Sequence, residues 1–345
     1  MTLLQAPGAD QHSTADRSRG RASTAVRFGV AAVVALLLAG VVSILIGSRS
    51  LSPAVILDPD DPLRAIFEAR LARTLLGAAV GAALGLAGAL MQGLTRNPLA
   101  DPGILGINAG ASLAMVLGIS LLGINAMQSY IWFAFAGAAV AALLVHGIAS
   151  LGTGGATPVK LAVAGAAVTA AATSWSTAVL MVDRGTLESF RFWQVGDVSG
   201  RGLGVLLTGL PFLLAGAVLA VLGARLLDAL ALGDDTARGL GRRAGLDRAL
   251  VGLAIVLLAG TATALAGPIA FVGLVVPHAV RAVVGPVHTR LLPLAAVVGA
   301  TLVVLADTVG RVVLPPSEVQ VGIMAAVVGV PFFLVLVRRG RMGAL

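Results

Sequence analysis

Long apolar runs, interrupted by short clusters of Gly, Pro and charged residues, extend along most of the chain. Runs of about 20 apolar residues are typical of helices that cross a lipid bilayer. We therefore expect an all-α integral membrane protein, with a polar tail at 1–25 and one ten-helix domain at 26–340. The pattern predicts the ten helices at 26–47, 71–95, 103–122, 130–150, 160–182, 204–223, 247–266, 270–285, 291–312 and 319–337.

Composition supports the same class of protein and excludes several chemistries. The 345 residues are 58% hydrophobic and 12% charged, whereas soluble domains carry about 25% charged residues. The chain has no cysteine, which excludes disulfides and thiolate sites. Lys160 is the single lysine and lies between Val159 and Leu161, so a phosphate-binding loop with Gly-Lys-Ser/Thr cannot form. We expect that this chain does not hydrolyse ATP.

The histidines give no sign of a metal site. None of them has ligand spacing to another histidine or to a pair of carboxylates. We therefore expect no metal and no cofactor bound by this chain. The four residues are His12, His146, His278 and His288.

The distribution of charge predicts the orientation in the membrane. Basic residues gather in the tail at 17–21, in a cluster at 242–248 and at the end of the chain at 338–341, whereas 58–61 is acidic. Because cytoplasmic segments are enriched in Lys and Arg, we expect both termini to lie in the cytoplasm and 58–61 to lie outside.

Glycines recur along one face of the second predicted helix. Gly77, Gly81 and Gly85 are four residues apart, and Gly88 follows three residues later. Small residues at this spacing let another helix approach closely. The ridge predicts a helix-packing face and indicates nothing about a substrate.

The connection at 224–246 differs from the other loops. Leu226, Leu227 and Leu230 have helical spacing, and Gly233 can end that turn. The pattern predicts two short amphipathic helices, which either lie at the headgroups or dock to a cytoplasmic partner.

Charges near the outer membrane surface have two interpretations. Asp307 and Arg311 are four residues apart and can pair, and Arg70 and Arg73 begin the second helix on one face. The arginines either reach the interface and pair locally, or form a cationic patch that receives the carboxylates of an external partner. Asp307 is also the most obvious candidate for a proton-carrying acid. Because Arg311 can pair with it locally, the residues give little support to proton-coupled transport.

Polar and helix-breaking residues interrupt the chain between the second and third predicted helices. The segment 92–103 contains Gln92, Asn97, two prolines and two glycines, and Asn108 follows. Irregular backbone at membrane depth is tolerated where it is buried in protein or lines a wet cavity. The segment is either a tight loop or part of a lining.

Six motifs follow one another along the chain: RLARTLLG at 70–77, GALMQGLTRNPLADPGILG at 88–106, LGDDTARGLG at 232–241, GPIAFVGLVVPH at 267–278, LADTVGR at 305–311 and the entry to the last helix at 318–322. Together they resemble FecCD-type permeases, the membrane subunits of ABC importers for ferric siderophores, haem and cobalamin. The resemblance covers about 65–340. The family usually has Arg-Leu-Pro-Arg at the start of the second helix, and here Ala72 replaces the proline.

The resemblance implies a type II ABC importer bundle of ten helices that works as a pair, with an identical or related second permease. It implies docking of an extracytoplasmic substrate-binding protein at Arg70, Arg73 and Arg311. It implies a translocation path or gates at Gln92, Asn97, Leu99, Asn108, Pro158 and Val159. The segment that couples to the ATPase would comprise Leu232, Gly233, Ala237, Arg238, Leu240 and Gly241.

The implied function is import of an iron–siderophore complex across the bacterial plasma membrane, with ATP and Mg²⁺ bound by partner ATPase subunits. The stretch ADPGILGIN at 100–108 favours a siderophore over haem or cobalamin. Two other classes of function remain open from the residues, an ATP-independent secondary transporter and a purely structural membrane scaffold.

Overall fold

A computed structural model describes residues 9–47, 51–56, 58, 60–124, 127–152, 156–231, 233, 239 and 244–338. Over these residues the chain is helical and contains no β-strand. The helices are α1 Ala9–Leu45, α2 Arg64–Thr95, α3 Ile107–Leu122, α4 Met127–Ser150, α5 Pro158–Val182, α6 Arg184–Gln194, α7 Leu203–Ala231, α8 Ala244–Ile255, α9 Thr261–Ala266, α10 Val272–Val284, α11 His288–Val313 and α12 Val321–Arg338.

Each of the ten predicted segments coincides with an apolar helix. Seven are long and apolar enough to cross a membrane, and three, in α3, α10 and α12, are shorter. A π-helical turn at Val256–Gly260 joins α8 to α9, so these two form one span. An all-α membrane protein is thus shown, with seven candidate spans in the described residues, and the count of ten crossings stays a prediction.

Helix α2 lies at the centre of the bundle and packs closely on α11. A Cβ built at Gly81 would clash with the carbonyl oxygen of Gly299, and one at Gly85 would clash with that of Ala295. Gly88 lies in the same way against the backbone of Gly273 in α10. Because these positions have no side chains, the helix backbones can approach closely. Dispersion contacts between them then stabilise the helix pair, since in lipid there is no hydrophobic driving force for helix association. Gly77, by contrast, has ordinary contacts with valines of α11.

Helix α6 does not appear in the apolar pattern because it is amphipathic. Its charged residues face outward while Phe190 and Trp193 are buried. Asp183 caps its first turn, since the carboxylate accepts hydrogen bonds from the Thr186 hydroxyl at 2.6 Å and the Thr186 amide at 3.0 Å. These hydrogen bonds stabilise the ionised form and lower the pKa of Asp183.

Helix α7 is longer than the pattern predicts. Residues 224–231 continue α7, so the first of the two expected short helices is not a separate element. Gly233 has a φ of +105° and donates its N–H to the Leu230 carbonyl at 3.1 Å, which takes the chain out of the helical direction there.

Two breaks in the helices differ from the predicted boundaries. The third helix begins at Ile107, after a 3₁₀ turn at Pro102–Leu105, instead of at 103. Helix α10 begins at Val272, because Gly267 and Phe271 both have positive φ and cannot continue a helix. The start of α2 differs as well, since this helix begins at Arg64, seven residues before the predicted start.

The close contact of α2 with α11 predicts a cost for a single methyl group. We expect Gly81→Ala to destabilise the permease by about 1–3 kcal/mol, because the Cβ must push two helix backbones apart. Gly40→Ala in α1 is the control, since no atom lies within 4 Å of its Cβ position. Thermal unfolding in detergent should show a lower Tm for Gly81→Ala alone, and equal Tm values would contradict the close packing.

Candidate functional site

A buried carboxylate joins α2 and α11 near one end of the bundle. The Arg73 guanidinium donates to Asp307 through Nε, at 3.0 and 2.9 Å from the two carboxylate oxygens, and through Nη2 at 2.7 Å. The Asp307 side chain is 3% exposed. This is the bidentate geometry that gives arginine–carboxylate pairs their strength.

A second arginine lies against the same carboxylate. Nε of Arg311 is 3.4 Å from Oδ2 of Asp307, as the spacing of four residues predicts. Nη2 of Arg311 donates to the hydroxyls of Ser43 at 2.6 Å and Thr308 at 3.2 Å, and Ser43 bonds Thr74 at 2.8 Å. These contacts tie α1, α2 and α11 together.

Glu318 completes what we name the Asp307 cluster, which comprises Arg73, Asp307, Arg311 and Glu318. Its carboxylate accepts a 2.6 Å hydrogen bond from Nη1 of Arg73. The Glu318 side chain is 37% exposed and lies in the connection between α11 and α12. The cluster therefore has a buried centre and one acidic group that reaches solvent.

The structure brings the three expected docking arginines to one end of the molecule but leaves none of them open. Arg73 and Arg311 pair with Asp307. Arg70 is buried and donates to the carbonyls of Ile44 at 3.1 Å and Leu45 at 3.3 Å, which caps the last turn of α1. Local pairing, the first interpretation of these charges, is thus present.

A groove of about 1050 Å³ runs along α5. Threonines recur every four residues on its wall, at Thr169, Thr173 and Thr177, and its other side is formed by Asp101 and the residues after it. The lining residues are Asp101, Gly103, Ile104, Ala162, Gly165, Ala166, Thr169, Ala170, Thr173, Ser174, Thr177, Ala178 and Met181.

Asp101 is a groove residue that the sequence interpretation did not single out. Oδ1 of Asp101 accepts the Gly103 N–H at 2.8 Å and caps the 3₁₀ turn at Pro102–Leu105. Burial raises the pKa of Asp101, and the Gly103 hydrogen bond only partly offsets that rise. The available signal was an Asp directly before a Pro, which is typical of a cap.

The expected path residues lie beside this groove and do not line it. Gln92 is buried, and its amide donates to the carbonyl of Leu274 at 3.2 Å, which holds the start of α10 against α2. Asn108 accepts a 2.9 Å hydrogen bond from Thr263 in α9. Asn97 accepts the Leu99 N–H at 2.9 Å in the turn after α2.

The second expected gate lies at the start of α5. Pro158 and Val159 form the first turn of this helix, with Thr157 as the cap, and Val159 is exposed. The groove begins one turn later, at Ala162.

At the opposite end from the Asp307 cluster, the last turn of α7 is tied to two other helices. Asp228 accepts the His288 backbone N–H at 2.9 Å and lies 2.7 Å from His288 Nδ1, so it caps α11 from outside. The Arg96 guanidinium, at the end of α2, donates to the Leu230 carbonyl. We name these four residues the α7 junction. Sequence patterns missed it because its partners are far apart along the chain.

The α7 junction leads directly into the expected coupling segment. Of its six residues only Gly233 is described, and Leu232, Ala237, Arg238, Leu240 and Gly241 lie outside the described residues. In the described part of the chain, no group of three or more His, Cys, Asp or Glu residues could hold a metal ion.

Comparison with known proteins decides the family. Residues 35–339 match the model of the FecCD transport family. The chain belongs to this family. As a FecCD permease it is a multi-pass transport subunit of the inner membrane and is not itself an ATPase.

Curated relatives cover most of the FecCD chain. The ferric enterobactin transport system permease protein FepD of Escherichia coli K12 is 44% identical over 315 residues, which is 89% of this chain and 94% of that protein. The probable siderophore transport system permease protein YfiZ of Bacillus subtilis is 45% identical over 275 residues, 80% of this chain and 83% of its own length. The hemin transport system permease protein HmuU of Yersinia pestis is 37% identical, over 79% and 82%.

A solved structure has the same architecture. An inward-facing ABC transporter of the metal-chelate type superposes with a TM-score of 0.81 at 28% identity, covering 91% of this chain and 99% of that one. The agreement over nearly the whole length extends the family assignment from sequence to fold.

The Asp307 cluster predicts a large cost for removing its central charge. We expect Asp307→Asn to destabilise the permease by about 3–5 kcal/mol, because two buried cations then lose their carboxylate. Glu68→Gln is the control, since Glu68 is 64% exposed in its pair with Arg64 and surface pairs contribute about 1 kcal/mol or less. Thermal unfolding should separate the two variants, and equal losses would contradict a structural role for the cluster.

Proposed function

We propose that this FecCD permease forms the membrane-spanning translocation path of an ATP-driven importer that moves an iron–siderophore complex. The family match over 35–339 carries the proposal. It is supported by the names of the relatives, most of which are permeases for siderophores, enterobactin, citrate or hydroxamate. In this arrangement the chain crosses the membrane ten times with both termini in the cytoplasm, and the Asp307 cluster lies at the outer face.

Helix α5 supports a pair of permease subunits around a central path. Only 17% of the residues in its apolar stretch are buried inside this chain, the same share as in α1. However, α5 has the lowest mean hydropathy of the seven long spans. Lipid suits the exposed face of α1, with its valines and leucines. The threonine-bearing face of α5 suits a second permease and a water-filled path between them.

The groove along α5 suits release of a bound chelate. Most of its lining residues are small or carry a hydroxyl, and the Thr177 hydroxyl already donates to the Thr173 carbonyl at 2.9 Å. Asp101 is the acidic group at the wall, and its Oδ1 already accepts the Gly103 N–H at 2.8 Å. Such a surface offers few strong ligands to a ferric complex, so the cargo is not held between the two faces of the membrane.

The segment after α7 transmits the motion that ATP hydrolysis causes. ATP and Mg²⁺ bind to partner ATPase subunits, and the coupling segment docks on these subunits. Its motion reaches α2 through Arg96 and α11 through Asp228, because both contacts hold the last turn of α7. Differential contacts in two states then drive alternating access.

Charge reversal in the coupling segment tests this function. In vesicles that contain the permease, its ATPase and its binding protein, we expect Arg238→Glu to abolish uptake of labelled ferric siderophore and to lower ATPase stimulation about tenfold or more, since a like charge at a docking interface costs several kcal/mol. Arg338→Glu, an exposed reversal at the end of α12, is the control.

Each outcome of this experiment discriminates between functions. Unchanged ATPase stimulation in Arg238→Glu would show that the coupling segment is elsewhere. Uptake by the wild type without any ATPase, and lost when the proton gradient collapses, would identify a secondary transporter. Uptake of haem or cobalamin in place of the siderophore would correct the cargo.

Docking of the binding protein is tested at Arg73. We expect Arg73→Gln to weaken binding of the chelate-loaded binding protein at least tenfold at low salt, because a desolvated charge pair is lost, and Arg73→Lys to weaken it less. Thermal unfolding of both variants checks that the fold survives. Unchanged affinity in a folded Arg73→Gln permease would place the docking surface elsewhere.

A further inference from the structure

Each nitrogen of the Arg73 guanidinium already has an acceptor within the permease itself. Nε and Nη2 serve Asp307, and Nη1 serves Glu318. A guanidinium binds carboxylates through pairs of N–H groups, and the edge that Asp307 leaves is the one between Nη1 and Nη2. A carboxylate of a docking protein that binds this edge would need Nη1, to which Glu318 is bonded, so docking at Arg73 competes with Glu318.

Of these two acids, only Glu318 can be displaced from outside. Asp307 is 3% exposed and lies between Arg73 and Arg311, so its removal would leave two cations uncompensated. Glu318 is more than one third exposed, and its one described hydrogen bond is that to Arg73. It also lies in a connection instead of on a helix, where a change of side-chain position costs little packing.

Glu318 acts on all three expected docking arginines. Besides its hydrogen bond to Arg73, its charge attracts Arg70 and Arg311. The carboxylate thus interacts with all three arginines that are expected to receive an incoming acid.

We propose that Glu318 is a built-in competitor for the docking site, which occupies Arg73 until a carboxylate of the substrate-binding protein replaces it. The proposal rests on docking at Arg73, as proposed above. A site that is partly self-occupied binds its partner with an affinity reduced by the free fraction. Glu318 therefore weakens docking and favours release of the empty binding protein after delivery.

The segment that carries Glu318 is held by contacts with other parts of the bundle. Val319, the next residue, donates its N–H to the Gly310 carbonyl of α11 at 2.9 Å, and Gly322 of α12 donates to Gly196 at 3.0 Å. Farther along α12, Gly329 packs on Phe271, in the break before α10. These contacts hold the segment in place when the Glu318 side chain leaves Arg73.

Removing the competitor should tighten docking. With the permease–ATPase complex in nanodiscs and its chelate-loaded substrate-binding protein as the probe, we expect Glu318→Gln to lower Kd roughly three- to fivefold at low salt, the factor by which an exposed pair reduces the free fraction of Arg73. The dissociation rate should carry most of the change, because displacement acts after encounter.

Glu68→Gln is the matched control, since it removes one acidic charge near the start of α2, the helix that carries Arg73, but Glu68 pairs with Arg64 and not with Arg73. A Kd that falls for Glu318→Gln and not for Glu68→Gln supports the competitor. Equal tightening in both variants would reveal a general effect of net charge and overturn it. An unchanged Kd in Glu318→Gln, together with weaker binding in Arg73→Gln, would overturn the competitor and leave docking at Arg73 intact. An unchanged Kd in both Glu318→Gln and Arg73→Gln would overturn docking at Arg73 and the competitor with it.

Discussion

The close approach of α2 and α11 is the constraint on which the rest of the structure depends. Gly81 and Gly299 let the two backbones touch near the middle of both helices. Toward one end, the same contact places Arg73 opposite Asp307, and toward the other it places Gly93 against the ring of His288. Two of the candidate functional regions, the Asp307 cluster and the α7 junction, are therefore built on one helix pair.

Sequence patterns predicted those features that depend on neighbours within a helix. The recurrence of Gly77, Gly81 and Gly85 indicates a packing face because residues four apart share a side of the helix. The pairing of Asp307 with Arg311 follows from the same spacing. The apolar runs located the membrane helices to within several residues, since each run needs to be long enough to match a bilayer.

Features that depend on which helices meet could not be predicted in this way. Arg73 pairs with Asp307 across 234 positions, and Arg96 reaches Leu230 across 134. Spacing predicts the face on which a residue lies, but not the helix that covers that face. Helix α6 was missed for a different reason, because its apolar residues form a stripe and not a continuous run. The first turns of α2 were missed because Arg64 and Glu68 pair with each other and break the apolar pattern without breaking the helix.

Helix α11 has 26 residues, so it is about 39 Å long at 1.5 Å per residue. Asp307 lies near one end of α11 and His288 at the other. The glycine contact with α2 lies between them, so α11 can pivot about this contact. A tilt of about 5° around that contact would move each end by roughly 1.7 Å in opposite directions, given this length. Such a tilt would carry a displacement at Asp228 to the Asp307 cluster without unfolding any helix.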